Sequence, residues 1–478
     1  MKCKLLLLLC IVVFIVSIST VSADENITSG EVKNISKLSA SNVVGYDSFD
    51  TNITVKLYSN NKSLASKEIT IDLNGKTYKK VTDKKGEAKL SINLKTGKYK
   101  ILFTFKGDNQ TSKSSLTKTV TVKQSQKTFL SVGDKNINYR QGSKCLFYVV
   151  LKNEKGKVIK NQIVTIKVNG KTYNVKTDGN GEAIIFLNLK KGKYNIKYSF
   201  KKNAPYLSSS GSFKILVREK MAKGNGYWLW AQNMAKVNLK SLALKGTKQI
   251  LLNAYSIQSH GKSKVISFIK KAHKYGIKVH LWMQVCFSNG KWISPMNSDN
   301  TIKYSFLNKK IREAKSYAKI KGVDGIHFDY LRYLGSGIHY KNPDNAINYF
   351  VKKVSIGIRK VNPNCIVSAA LMPEPSSMIK YYGQNIPVMS RYVDALIPMV
   401  YKENYHRTSA WVKSVVKTFV SQSNGAQLWC GLQSYKIDGG VKKLSQNTLI
   451  KDSKAAISGG AKGIILFRFG ISYNFKFI

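Results

Sequence analysis

Three hydropathy regimes follow one another along the 478-residue chain. The first is an apolar run from Leu5 to Ile18, behind Lys2 and Lys4 and ahead of the small-residue stretch Val21-Ser22-Ala23. That order predicts a secretory signal peptide over residues 1–23, cleaved before Asp24. At 14 residues the run is short for a membrane span. No later stretch of about 20 apolar residues occurs, so no integral membrane segment is expected after cleavage. The mature protein is expected to be secreted or held at the cell surface.

The second regime has period two. Runs such as Ile69-Thr70-Ile71-Asp72-Leu73 and Val164-Thr165-Ile166-Lys167-Val168 alternate apolar and polar residues between Asn-Gly and other Gly-rich turns. This predicts antiparallel strands packed as β-sandwiches. The pattern occurs twice at an offset of 95 residues. Gly75-Lys76-Thr77-Tyr78 matches Gly170-Lys171-Thr172-Tyr173, and Gly97-Lys98-Tyr99 matches Gly192-Lys193-Tyr194. So long a period suits tandem domains rather than a solenoid. Two all-β sandwiches are therefore expected at 38–124 and 125–218, after a linker at 24–37. They read as a spacer that lifts the second half off a surface, with a wall-binding module as the alternative.

The third regime begins near residue 221. Strand-like runs near 226–231, 249–256, 278–286, 325–331, 366–373, 394–401, 427–434 and 463–469 alternate with helical stretches. In the clearest of these, 304–320, Leu307, Ile311, Ala314 and Ala318 recur at helical spacing. Eight strands in about 250 residues predict an α/β TIM (β/α)8 barrel over 222–478, its last helix short or absent.

Composition sharpens this division. All 6 Trp and all 6 His lie in the third region. The formal charge of +54 is shared between 24–220 (+23) and 221–478 (+29). An excess spread so evenly is not a nucleic-acid patch on one face, and no nucleic-acid partner is expected outside the cell. An anionic wall polymer or surface polysaccharide is the simplest partner. Cys145, Cys286, Cys365 and Cys430 are scattered without metal-ligand spacing. They are expected as buried thiols, with a disulfide between two of the last three as the alternative.

In such a barrel the chemistry sits at the C-terminal ends of the strands. Only ten carboxylates occur in 221–478, and three of them, Asp329, Glu374 and Glu403, fall at the expected upper ends of strands four, five and six. Asp324 and Asp394 fall at the opposite face, where stability or capping is the better reading. Paired carboxylates flanking a glycosidic bond are what glycoside hydrolysis needs, so these three are the candidate catalytic residues. Around them, Trp228, Trp230, His280, Trp282, His327, Arg332, Tyr401, Gln433 and Arg468 are candidates for substrate binding. Several have rival readings: His327 as a core histidine, Asp329 in an ion pair with Arg332, and Glu403 paired with Lys402 or His406. His327-x-Asp329 has the residue types to ligate a cation. However, strand one reads Tyr227-Trp228-Leu229-Trp230 and lacks the His-x-His usual in metal-dependent barrels. No metal and no cofactor are expected.

Two resemblances bear on these expectations. Over about 38–217 the repeats resemble bacterial-type Ig-like modules of adhesin-like surface proteins. Over about 222–470, two stretches are similar to the strand-four and strand-six signatures of a glycoside-hydrolase-like family related to the α-amylase-like barrels and formerly a domain of unknown function. These are Val323-Asp324-Gly325-Ile326-His327-Phe328-Asp329-Tyr330-Leu331-Arg332-Tyr333, and Gly383 to Pro387 together with Tyr392 to Tyr401. The resemblance implies Asp329 as nucleophile and Glu374 as acid/base. Lys402-Glu403-Asn404 replaces the family's usual Pro-Ser-His, which makes Glu403 a rival acid. The positive surroundings are expected to lower the carboxyl pKa of Asp329. The expected function is a secreted or surface-associated glycosidase acting on an extracellular or cell-wall polysaccharide. The competing class is a non-catalytic, adhesin-like carbohydrate-binding protein.

Overall fold

Along the strand Asp50–Ser59 every second side chain, from Thr51 through Ile53, Val55 and Leu57 to Ser59, is buried. That alternation is what one apolar face of a sheet requires. It recurs through the computed structural model, which describes residues 33–437, 441–471 and 474–478. The expected signal peptide, most of the 24–37 linker and Asp438 lie outside these residues. The chain divides into two compact units at Ser125.

In the first unit, one sheet is built from Ser36–Ser39, Asp50–Ser59, Lys62–Ser63 and Glu87–Asn93. The other is built from Val43–Tyr46, Ser114–Lys123, Gly97–Phe105, Glu68–Leu73 and Lys76–Val81. Ile53, Val55, Leu57, Ile71, Phe103 and Val120 fill the space between them. The second unit begins with the same arrangement. The pairing Leu73↔Lys76 returns as Val168↔Lys171, and Gly97↔Val122 returns as Gly192↔Val217. Both hairpins turn on Asn-Gly (Asn74-Gly75 and Asn169-Gly170) with positive φ at each residue. That is the two-residue turn whose twist suits paired strands.

The remainder of the second unit is a closed parallel barrel. Its strands are β1 (Gly226–Leu229), β2 (Gln249–Asn253), β3 (Lys278–Gln284), β4 (Gly325–Asp329), β5 (Ile366–Leu371), β6 (Ala395–Pro398), β7 (Gln427–Leu428 with Cys430–Gln433) and β8 (Ile464–Phe467). Each pairs in parallel with the next. β8 returns to β1 through Gly226↔Ile465, and β6 meets β7 through Ala395↔Gln427 and the Met399–Gly431 bridge. All eight strands lie within the stretches expected from sequence, and the helix expected at 304–320 spans Tyr304–Ala318.

The strands are buried on both faces, and period two divides their side chains between two cores. On β3, Val279, Leu281 and Met283 face the surrounding helices, while Trp282 joins Trp228, Leu251, Ile397, Trp429 and Ile465 in a separate core inside the barrel. Glycines make room there. A Cβ at Gly325 would lie 2.5 Å from Nδ1 of His280. The four cysteines are buried free thiols, so the alternative of a disulfide among the last three is not what the fold contains.

The second sandwich is docked on the N-terminal face of the barrel. Asp394, fully buried just ahead of β6, accepts from Asn138 Nδ2 (2.7 Å), Arg140 Nε (2.9 Å), Arg218 Nη2 (2.5 Å) and the Val367 N–H (2.9 Å). These guanidinium groups hold the Asp394 carboxyl far below the usual carboxylate range, against the opposing effect of burial. Among the described residues no helix is long and apolar enough to cross a membrane.

Candidate active site

Strand β4 delivers Asp329 to the C-terminal rim. Because side chains alternate, Asp329 and His327 point into the barrel while Ile326 and Phe328 point to the helices. The next residue, Tyr330, has φ +52°, a strained conformation for a bulky side chain. This turn brings the N–H of Tyr330 to Oδ1 of Asp329 at 2.7 Å, while the indole Nε1 of Trp282 donates to Oδ2 at 3.0 Å. Burial raises the Asp329 carboxyl above its ordinary value, and the Tyr330 N–H, the Trp282 N–H and the Arg332 charge oppose this without cancelling it. The expectation that positive surroundings would lower it is thus reversed, because desolvation outweighs the charges nearby.

Arg332 makes no ion pair with Asp329 among the described residues. Its guanidinium lies over the rings of Trp292 (4.5 Å) and Tyr382 (5.5 Å) and donates to the Tyr333 carbonyl at 3.0 Å. It interacts electrostatically with Asp329, Tyr382, Tyr330 and Tyr405. Tyr382 and Tyr405 both donate to Glu374, Tyr405 at 2.8 Å. One arginine therefore links the surroundings of the two carboxylates.

Tyr401 belongs to the same mouth. Burial and the Asp329 charge push its hydroxyl well above the ordinary range, and its ring stacks on Phe467 at 5.8 Å. Gln433 is buried and exchanges two hydrogen bonds with Asn404, which fixes the loop after β6. Arg468 follows β8 and interacts with Tyr435; it makes no ion pair among the described residues. Trp230 packs against Trp282 at 5.0 Å, and its indole N–H is buried without a partner.

The other candidates have different partners. Glu403 is paired with Lys402 at 2.7 Å, and Lys402 also reaches Asp452 at 3.5 Å. Glu403 thus takes part in a local ion network, which was its rival reading. His327 is fully buried one layer below Asp329, where Trp228 Nε1 meets its Nε2 and Ser368 Oγ meets its Nδ1, both at 3.0 Å. His280 is buried likewise, with Gln249 Oε1 2.9 Å from its Nε2. Burial holds both imidazoles below their ordinary value, His280 at about 4. Trp228, His280 and His327 therefore build the barrel interior and present no surface to a ligand, a correction to their expected binding role. Trp282 is 2% exposed and reaches the mouth only through its indole N–H.

Several residues beyond the sequence candidates line the rim. Tyr330 stacks on Phe287 at 4.8 Å, and Trp292 closes the group at 5.3 Å from Tyr330. Phe287 and Trp292 flank an Asn289-Gly290 turn, a hairpin signal present in the sequence. Tyr382 ends the short helix Met378–Tyr382 and Tyr405 sits in a loop, and neither carries such a signal. Beside Trp282, a crevice of about 330 Å³ is lined by Asn253, Gln284, Phe287, Lys310 and Glu313. Among the described residues no group of three His, Cys, Asp or Glu side chains is placed to hold a metal ion.

No protein-family model matches the chain, and neither does any curated protein. Among solved structures, the chain is similar to the glycoside hydrolase domain of PgaB (BpsB) from Bordetella bronchiseptica, at 11% identity over 52% of this chain and 94% of that one, with a TM-score of 0.42. It is also similar to the spore cortex-lytic enzyme SleL of Bacillus megaterium QM B1551, at 12% identity over 55% and 75%, with a TM-score of 0.39. A third likeness is to catalytic domain 2 of the Ostrinia furnacalis group II chitinase, at 11% identity over 52% and 90%, with a TM-score of 0.37. Scores this low carry no inference; the barrel rests on its own strand pairings.

Proposed function

We propose that the protein is a glycosidase acting on an extracellular or cell-wall polysaccharide, with Asp329 and Glu374 as its carboxylate pair. The observation that supports this reading is Asp329 at a barrel rim walled by Phe287, Trp292 and Tyr330, with Arg332 over the rings of Trp292 and Tyr382 and Tyr405 donating to Glu374. Aromatic faces of this kind suit sugar rings. The environment of Asp329 suggests a division of labour. Asp329, raised by burial, is the proton donor to the leaving glycosidic oxygen. Glu374, which accepts hydroxyl donors, is the carboxylate that attacks the anomeric carbon or activates water. This exchanges the roles implied by the family resemblance.

The test is release of reducing ends from a panel of wall polysaccharides by the wild type, Asp329→Asn and Glu374→Gln. The proposal expects activity only in the wild type and polysaccharide binding in all three. Binding without release by any of them would favour the non-catalytic adhesin instead.

A further inference from the structure

The docking of the second sandwich leaves an unbalanced charge. Arg140, Arg218 and Arg359 all converge on Asp394. Three guanidinium groups against one carboxylate leave two positive charges with no counter-charge among the described residues. Their donors are not all used. Arg140 Nη2 and Arg359 Nε are buried without a hydrogen-bond partner, although the side chain of Arg140 is only 9% exposed. A buried donor left unpaired is costly, and an unpaired charge more so.

A cavity of about 370 Å³ opens at this place, between the strand ends of the sandwich and the helix Asp344–Val361 of the barrel. Arg218 and Arg359 line it, together with Lys135, Lys214 and Lys360, and none of the described residues lining it is acidic. The three lysines are exposed and make no ion pair or hydrogen bond among the described residues. Tyr139, which also lines the cavity, is 5% exposed and its hydroxyl has no partner. The apolar side chains Ile215 and Ile356 make up part of the remaining wall.

We infer that this cavity is a binding site for a phosphate-class oxyanion, separate from the barrel mouth. A dianion matches the two uncompensated charges. Guanidinium groups bind such oxygens through several parallel N–H donors, and the lysines add point charges at the rim.

The experiment is titration of the mature chain with inorganic phosphate at constant ionic strength, with chloride as the balancing anion, followed by calorimetry and by the thermal midpoint. The expected result is saturable binding of one phosphate per chain and a midpoint that rises with phosphate concentration. The variant Lys135→Ala/Lys214→Ala/Lys360→Ala removes only exposed, unpartnered side chains, so its midpoint without phosphate should equal that of the wild type. Its affinity should fall about tenfold. A non-saturating response, or a variant that titrates like the wild type, overturns the site.

Discussion

Arg140 of the second sandwich and Asp394 of the barrel, 254 residues apart in sequence, meet at 2.9 Å between Nε and Oδ1, with 9% and 0% of their side chains exposed. The carboxylate also takes donors from Asn138, Arg218 and the Val367 backbone, so it is a shared anchor of sandwich and barrel. Asp394→Ala would leave three guanidinium groups facing one another with no counter-charge. Breaking a buried pair from one side costs about 3–5 kcal/mol. The expected result is that large a loss in urea unfolding, with the sandwich and barrel losing stability together. A loss confined to surface-pair size would show that Asp394 does not anchor the interface.

The same groups set how stability responds to acid. The folded-state value of Asp394 lies below its unfolded value. Its contribution is therefore present above the ordinary carboxylate range and is lost as pH falls through and below that range. His280 works in the same direction, over a window at higher pH. It is buried as the neutral ring, at about 4 against an ordinary 6.5, so the unfolded chain takes up its proton first as pH falls. That removes on the order of 3 kcal/mol between pH 6.5 and 4. Urea midpoints measured from pH 8 to pH 4 should fall, and His280→Gln should flatten the upper part of that slope.

The proposed roles of the two acids make a kinetic prediction. Asp329→Asn and Glu374→Gln should each lower kcat/KM by about 10²–10⁴-fold. Glu403→Gln, which disturbs the ion pairs with Lys402 and Lys436, should leave kcat/KM near that of the wild type. The alkaline limb of kcat/KM reports the proton donor of the free enzyme. It should lie above the ordinary Asp value and disappear in Asp329→Asn.

Much of the barrel was legible because its strands obey a local rule. The run His280-Leu281-Trp282-Met283 alternates, so lumen and helix-facing residues separate by parity alone. Parity also put His327 and Asp329 on one face, but it carries no height. Only the register Trp282↔His327 and Gln284↔Asp329 shows that the histidine lies a layer down, sealed by Trp228 and Ser368. The fate of Glu374 and Glu403 depended on loops, where Tyr405 happens to meet one and Lys402 the other. The role of Asp394 was hidden for a related reason. Its position before β6 suggested a stabilising residue, but its partners Asn138, Arg140 and Arg218 belong to another domain, and no periodicity in either segment registers the other.

Trp282 is a positioning residue for the proposed donor, and its effect has a definite sign. Its indole N–H favours the charged form of Asp329, opposing the rise caused by burial. Trp282→Phe keeps an aromatic ring in the barrel interior but removes that donor. The Asp329 carboxyl should then rise further, and the alkaline limb of kcat/KM should move upward with it. A change in kcat alone, with the limb unmoved, would mean that Trp282 acts only as packing.

The layer below makes the last prediction. An indole nitrogen can only donate, so the contact from Trp228 fixes Nε2 of His327 as the acceptor and leaves the ring proton on Nδ1. That proton then goes to Ser368 Oγ at 3.0 Å. The expected tautomer is readable by nitrogen NMR as a protonated Nδ1 and a bare Nε2. Ser368→Ala removes the only acceptor that the described residues offer to Nδ1–H. In a fully buried site this should cost about 1–3 kcal/mol, because the imidazole proton loses its partner and water cannot replace it. Ser368→Thr keeps the hydroxyl and should recover most of that stability if the added methyl fits. A protonated Nε2 in the wild type, or an unchanged urea midpoint in Ser368→Ala, would refute the chain of donors from Trp228 through His327 to Ser368 and with it the rigid floor beneath Asp329.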